Sequence, residues 1–381
     1  MIYLDYAADT PVCEPVLSAF SQSAREHGAN PNSTHKAGLA AKCKLDEATE
    51  HIAAMLGAQP NEVILTSGAT EANNMAILGL AHAYHSRGNH VITSLMEHAS
   101  VTGPMSALKA EGFVLDFLKM LPDGRVNVEH LRSLLRSDTV LLSLCAVDSE
   151  VGVQQPIDVV VDLLKDFPNC RLHVDATQAI GKLPVNLTGV DLFTLSPHKF
   201  YGITGCGVLV ARGGIRLVPL WHGGTGATPY RSGTPALALT VSAEVALQEA
   251  FSHLEERMNS VFLLNRHLRE SLVKLPWVTI NSPEGASPFI LNFSTVGIRA
   301  LDVITFLSEQ GICVSSKSAC CAPAAPSHPV MAMTGDRKRA INTIRVSLSH
   351  LTTETEINEF LRTLRQCAKS LEATHGNRAG D

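Results

Sequence analysis

Residues 171–212 read RLHVDATQAIGKLPVNLTGVDLFTLSPHKFYGITGCGVLVAR, and three short apolar runs stand out in them: RLHV, DLFTL and GVLVA. Each run ends at once in polar residues or glycine, and neighbouring positions within it are apolar together. Strands covered by helices on both faces read this way, because no solvent face imposes alternation. Toward the N-terminus the same signal recurs in EVILTS, HVITS, VLDFLK and TVLLSLCAV, separated by helical patterns from about Thr70, after Ala99 and near Val128 to Arg136. Strands alternating with helices from Glu62 to Arg212 predict an α/β fold with a mostly parallel central sheet. Such sheets bind ligands outside the carboxyl ends of their strands, which directs attention to the polar cluster after each run.

Beyond Arg212 the pattern breaks into a Gly/Pro/Thr-rich loop, HGGTGATPYRSGTP, followed by a helical stretch from about Ala236 to Leu275. Strands FILNFS and IRVSLS then alternate with helices ALDVITFLSEQ and TETEINEFLRTLRQCAKSLEA, a smaller α+β unit. The tail THGNRAGD is expected to fray. The expected division is a large domain over 16–250 and a small one built from 1–15 and 251–381.

Composition narrows the function classes. With 381 residues, 45% hydrophobic and 18% charged, the chain is globular and long enough for a sizeable core. A net charge of −5 offers no general attraction to nucleic-acid phosphates or anionic lipid, so neither is an expected partner. The opening MIYLDYAADTPVCEP lacks a basic n-region, and TVLLSLCAV is about a third of a membrane span. A cytoplasmic protein is expected. The nine cysteines form no Cys-x-x-Cys pair and no zinc-ligand spacing with histidine, so reduced thiols and no metal are expected.

The strand-end clusters TSGATEANN, SLMEHAS, AVDSEVG, HVDATQAIG and SPHKFYG suit the parts of one cofactor, pyridoxal phosphate. Gly68, Ala69 and Thr70 open a helix whose free N–H groups and positive dipole end favour a phosphate, and a threonine serving only as helix N-cap is the competing reading. Asp175 ends an apolar run and provides the fixed carboxylate that keeps a pyridine nitrogen protonated. Lys199, 24 residues on at another strand end, provides a Schiff-base amine. His98 offers an imidazole able to stack on the ring and shuttle protons, and a satisfied structural histidine is the competing reading. Arg345, the sole arginine of IRVSLS, suits a carboxylate clamp, and an edge-strand arginine facing water is the competing reading.

The order YLDYAA, NPNSTHKAG, ILTSGATEANNMAI, EHASV, VDATQAIGKLPV, SPHKFYG, GVLVAR, RSGT, SSKSACC, IRVSLS and TTETEI covers nearly the whole chain and resembles the cysteine desulfurases. These are pyridoxal-phosphate enzymes with an aminotransferase-like, fold-type-I architecture. The resemblance implies a homodimer that converts L-cysteine to L-alanine and keeps the sulfur as an enzyme persulfide. It also implies the roles of single residues. Lys199 is the Schiff-base lysine, His98 stacks on the ring, Asp175 pairs with its nitrogen and Gln178 faces the phenolic oxygen. Thr70, with Ala69 beside it, Ser196 and His198 hold the phosphate, and Thr234 does so from the neighbouring subunit. Arg345 binds the substrate carboxylate, and Cys320 is the sulfur-accepting nucleophile of the Ser-Ala-Cys loop. The acceptor beyond it would be an iron–sulfur scaffold, a tRNA-thiolation relay or a DNA-phosphorothioation system.

Four positions depart from the family's pattern. Ser149, a shorter hydroxyl, stands where asparagine usually faces the phenolic oxygen, and 225–229 lacks the usual polar or charged pair. Asp9 replaces threonine, and Lys317 replaces glycine before Ser-Ala-Cys. Competing readings are a selenocysteine lyase or another β-eliminating pyridoxal enzyme, and a catalytically weak sulfur-relay scaffold.

Overall fold

A computed structural model describes residues 1–378 apart from 225, 227 and 318–324, with side chains described as far as 370. Its strands, in chain order, are β1 (Ile2–Tyr3), β2 (Val63–Thr66), β3 (His90–Ser94), β4 (Val114–Leu118), β5 (Thr139–Cys145) and β6 (Arg171–Asp175). They continue with β7 (Leu192–Leu195), β8 (Gly207–Ala211), β9 (Val278–Ile280), β10 (Ile290–Thr295), β11 (Ile312–Cys313) and β12 (Thr343–Ser347). Seven of them form the central sheet in the order β2-β8-β7-β6-β5-β3-β4. The pairs from β4 through β7 are parallel, whereas β8 runs antiparallel to both β7 and β2. The expected mostly parallel sheet is therefore present, and GVLVA is its reversed member.

Successive side chains leave a strand on opposite faces, so a doubly covered strand must be apolar at both. In β3, Val91 joins the core on one face and Ile92 the core on the other; in β5, Leu141 and Leu142 divide the same way. All four are fully buried. Burial of each such side chain stabilises the fold by roughly 1.5–3 kcal/mol. The face holding Val91 and Leu141 is covered by α3 (Ala69–Tyr84), through Met75, Ile77 and Leu80, and by α4 (Ala99–Ala110), through Val101 and Met105. For that numbering, α1 is Glu14–Glu26 and α2 is Lys36–Met55.

The apolar patterns of the sequence do not mark α1 and α2. The buried stripe of α2, Ala41, Leu45, Ala48 and Ile52, has helical spacing but alternates small residues with large ones, so its apolar signal is diluted. The long helical stretch is two helices, Leu237–Ser252 and Leu254–Leu272, separated at His253.

The remaining strands make an antiparallel sheet, β12-β10-β9, and a parallel pair, β1-β11. The first residues of the chain pair with this second region: Ile2 lies opposite Ile312, and Asp5 bridges to Ser347. They then pass beneath the carboxyl ends of the large sheet, where Thr10 donates its N–H to the His198 carbonyl. Two regions of the chain thus meet at the strand ends. No helix among the described residues is long and apolar enough to cross a membrane, and no cluster of three or more His, Cys, Asp or Glu among them could hold a metal ion.

Candidate active site

A cavity of about 400 Å³ opens at those strand ends, walled by the start of α3, by the turns after β3, β5, β6 and β7, and by β12. Lys199 reaches it from a single 3₁₀ turn, Pro197–Lys199, that follows β7. Its Nζ donates to the Ala7 carbonyl at 3.0 Å and to that of Ala8. Burial, reinforced by the positive charge of Arg345, pushes its pKa down to about 8. A desolvated lysine of this kind is neutral, and so nucleophilic, far more often than a surface one. Two residues on, Tyr201 occupies left-handed backbone with φ 71°, pinned by an N–H bond to Thr10 Oγ1 at 2.7 Å and by a hydroxyl contact with Ser349 at 2.5 Å. Such a conformation costs of order 1 kcal/mol or more and holds the lysine turn in one shape.

Asp175, at the end of β6, accepts the Thr177 N–H at 3.0 Å on one oxygen and the Asn73 amide at 2.8 Å on the other. Asn73 sits on α3, fully buried, and its second amide hydrogen goes to Ser100 Oγ at 2.9 Å. Thr194 Oγ1 donates to Asn73 Oδ1 at 2.5 Å. Ser100 completes the line to His98, whose Nδ1 receives the Ser100 N–H at 3.1 Å and lies 2.8 Å from its hydroxyl. An N–H can only donate, so Nδ1 keeps its lone pair and the neutral ring carries its proton on Nε2. Burial, the largest influence, holds the His98 pKa below its ordinary value. Asn73 and Ser100 both lie inside the motifs quoted above, but nothing in the sequence separates a network asparagine from a helix-surface one.

Gln178 also faces the cavity. Its Nε2 donates to Ala7 O at 2.9 Å, and its Oε1 accepts from Lys182 Nζ at 2.8 Å. Arg345 is 2% exposed, which excludes the water-facing edge reading. β12 is an edge of its sheet, but Asp5 and Ser315 bridge to its outer side. One guanidinium nitrogen donates to Ser149 O at 2.8 Å and another to Asp5 Oδ1 at 2.8 Å, while Asp5 Oδ2 accepts from Ser315 Oγ at 2.7 Å. Ser149 lines the cavity and contributes its carbonyl to the arginine.

Ala69, Thr70 and His198 stand on the cavity wall as expected. Burial, then the charge of Lys199, pushes His198 down to about 4, so the ring is neutral. Ser196 is placed differently. It is fully buried behind the wall, donating its hydroxyl to the Cys206 carbonyl at 2.9 Å and contacting His198 Nδ1 at 2.8 Å. The single hydroxyl hydrogen serves the carbonyl, so His198 Nδ1 is the donor in the second contact. Thr234 is exposed and lines a separate crevice with His27 and Asn30, and is not among the residues that wall this cavity. Cys320 and Cys321 lie outside the described residues. The nearest described residue before them, Lys317, is 5% exposed and donates to the Ala325 carbonyl.

The donor set fits pyridoxal phosphate: a low-pKa amine for its carbonyl, a fixed carboxylate for its ring nitrogen and a free helix N-terminus for its phosphate. Backbone packing at that terminus is tight. A Cβ on Gly207 would stand 2.5 Å from the Gly68 carbonyl carbon, so β8 presses directly on the turn that opens α3.

The family model described as aminotransferase class-V matches residues 2–360. Cysteine desulfurase IscS of Dictyoglomus turgidum is 35% identical over 375 residues, which span 97% of this chain and 95% of that one. A solved NifS-like protein superposes with a TM-score of 0.91 at 34% identity, covering 97% of this chain and 99% of its own. A structure of SspA in complex with cysteine superposes with a TM-score of 0.81 at 31% identity, covering 93% and 100%.

Proposed function

The chain belongs to the class V aminotransferase family and is a pyridoxal-phosphate-dependent cysteine desulfurase, and from that premise we propose which residues release sulfur from L-cysteine. The observation that carries the assignment is the convergence of Lys199, Asp175, His98 and Arg345 on one cavity from separate elements. Lys199 would link the cofactor, Asp175 would hold its ring nitrogen, and Ala69 and Thr70 would hold its phosphate; the phosphate charge would favour the His198 imidazolium, whose Nε2–H donates to it while Nδ1–H stays on Ser196. Gln178 faces the phenolic oxygen with Ser149 beside it. When bound, pyridoxal phosphate supplies the sink for the electrons left by the Cα proton.

Arg345 fixes the substrate carboxylate through charge-assisted bonds. With a pKa of about 8, Lys199 is close to half neutral near that pH and can take and return the Cα proton. His98 presents Nε2–H as a donor. The Cys320 thiolate attacks the substrate sulfur: an S–S bond forms as the C–S bond breaks, the carbon takes a proton, and L-alanine leaves a persulfide on Cys320. Ser315 pairs with Arg345 through two backbone hydrogen bonds, and Cys320 is five residues further on, a reach of at most about 17 Å.

Thr234 completes the phosphate site of a second copy in a homodimer, which accounts for its exposure here. The small domain comprises 1–15 and 251–381 and carries the persulfide loop. The acceptor is a protein of an iron–sulfur, tRNA-thiolation or DNA-phosphorothioation route. Single-turnover alanine release with wild type and Cys320→Ser is the test. Undiminished alanine from the variant would favour a selenocysteine lyase, pyruvate in place of alanine would favour a β-eliminating lyase, and neither product from the wild type would favour a scaffold.

A further inference from the structure

Lys182 is a second lysine at this site, 6% exposed and absent from the cavity wall. It lies behind Gln178, on the turn that continues from β6, and its Nζ donates to Gln178 Oε1 at 2.8 Å. On the other side, Gln178 Nε2 meets Ala7 O at 2.9 Å. The Ala7 carbonyl can only accept, so it takes an Nε2 hydrogen and leaves Gln178 Oε1 to accept from Lys182 Nζ. The second Nε2 hydrogen is then the part of the amide left to serve the cavity that Gln178 lines. Without Lys182 the amide oxygen would be buried with no donor, and swinging the amide away from Ala7 to find one would be the simplest relief.

We propose that Lys182 is a positioning residue: by donating to Gln178 Oε1 it keeps the Gln178 N–H, and not its carbonyl, directed at the cofactor's phenolic oxygen. A carbonyl turned toward that oxygen would repel it, so orientation decides the sign of the interaction. The inference rests on the reading of Gln178 in the proposed function. The charged and titratable groups acting on Lys182 are Lys199 and Arg345, and His198 in turn responds to it. Burial and both cations push the Lys182 pKa well down, and a neutral amine donates to Oε1 as an ammonium does.

Lys182→Met and Lys182→Gln test this, because methionine and glutamine are close in length and differ in whether they can donate. The readouts are the dissociation constant for pyridoxal phosphate added to the cofactor-free enzyme, and the pH midpoint of the bound cofactor's visible band. A donor at the phenolic oxygen competes with the proton on the lysine–cofactor linkage, so losing it moves the midpoint upward. Lys182→Met is expected to weaken cofactor binding by about tenfold and to raise the midpoint, with Lys182→Gln restoring both toward wild type. Gln178→Glu should shift the midpoint in the same direction, and adding Lys182→Met to it should add little.

Equal values for wild type and Lys182→Met would overturn the proposal. So would full additivity with Gln178→Glu, since Lys182 would then act elsewhere. Should Lys182→Met not fold, Lys182→Gln and Gln178→Glu decide alone: a Lys182→Gln midpoint matching that of Gln178→Glu refutes a donor role, and one matching wild type supports it. Failure of the wild type itself to bind pyridoxal phosphate would instead remove the underlying reading of the site.

Discussion

Replacing Arg345 by alanine should do more than remove an attraction. The arginine contributes a charge-assisted bond to the substrate carboxylate, worth roughly 1.5–3 kcal/mol, or about 10- to 150-fold in affinity. It also neutralises Asp5, whose Oδ1 lies 2.8 Å from the guanidinium. In Arg345→Ala the Asp5 carboxylate keeps only the Ser315 hydroxyl on its other oxygen. A substrate carboxylate arriving about 5–6 Å away would then meet a like charge, at a further cost of about 0.8–3 kcal/mol between aqueous and protein-surface screening. The expected order of L-cysteine affinity is therefore wild type, then Arg345→Ala with Asp5→Asn, then Arg345→Ala alone. Substrate-induced changes in the cofactor's visible band, titrated with L-cysteine and with cysteamine, measure it. Cysteamine lacks the carboxylate and should bind poorly to wild type and indifferently to all variants. Equal losses for the two ligands, or a double variant weaker than the single one, would refute the clamp and make the ion pair purely structural.

Lys199→Ala should abolish the borohydride-reducible cofactor linkage and all turnover; label on another lysine peptide after reduction would displace the assignment. In the cofactor-free enzyme, modification of Lys199 by an amine-reactive probe should rise through pH about 8, because burial and Arg345 lower its pKa and the neutral amine is the nucleophile. Cys320→Ser should retain cofactor but form no persulfide, and an inactive Cys321→Ser beside an active Cys320→Ser would reverse the choice of sulfur. Glu97, a buried carboxyl, has its pKa raised to about 8, chiefly by desolvation, so the native state binds the extra proton between about pH 4 and 8. Stability should fall as pH rises through that window, and Glu97→Gln should flatten the slope in melts of the cofactor-free protein; an unchanged slope would count against a buried neutral Glu97.

By itself the sequence determined which runs build the large sheet and that the sheet is mostly parallel, but not the strand order or the reversal of β8. Runs such as TVLLSLC and GVLVA must be buried on both faces, and that requirement survives any detail of packing. It also located Asp175 and Lys199, since chemistry at strand ends follows from connectivity. What it could not decide are contacts between residues far apart in the chain. The Asp5–Arg345 pair spans 340 positions and the Asn73–Asp175 bond 102, so neither leaves a periodicity or a local motif. The same holds for the lysines. Lys182, Lys199 and Lys317 carry the same side chain in stretches rich in loop residues, yet Lys182 and Lys317 are buried and Lys199 partly buried, all with assigned acceptors. Thr234 shows the converse, a motif residue left on the surface of its own chain. Burial and partner depend on what folds against a residue, and only the tertiary structure brings Ala7, Ala325 and Ser149 to the polar atoms they satisfy.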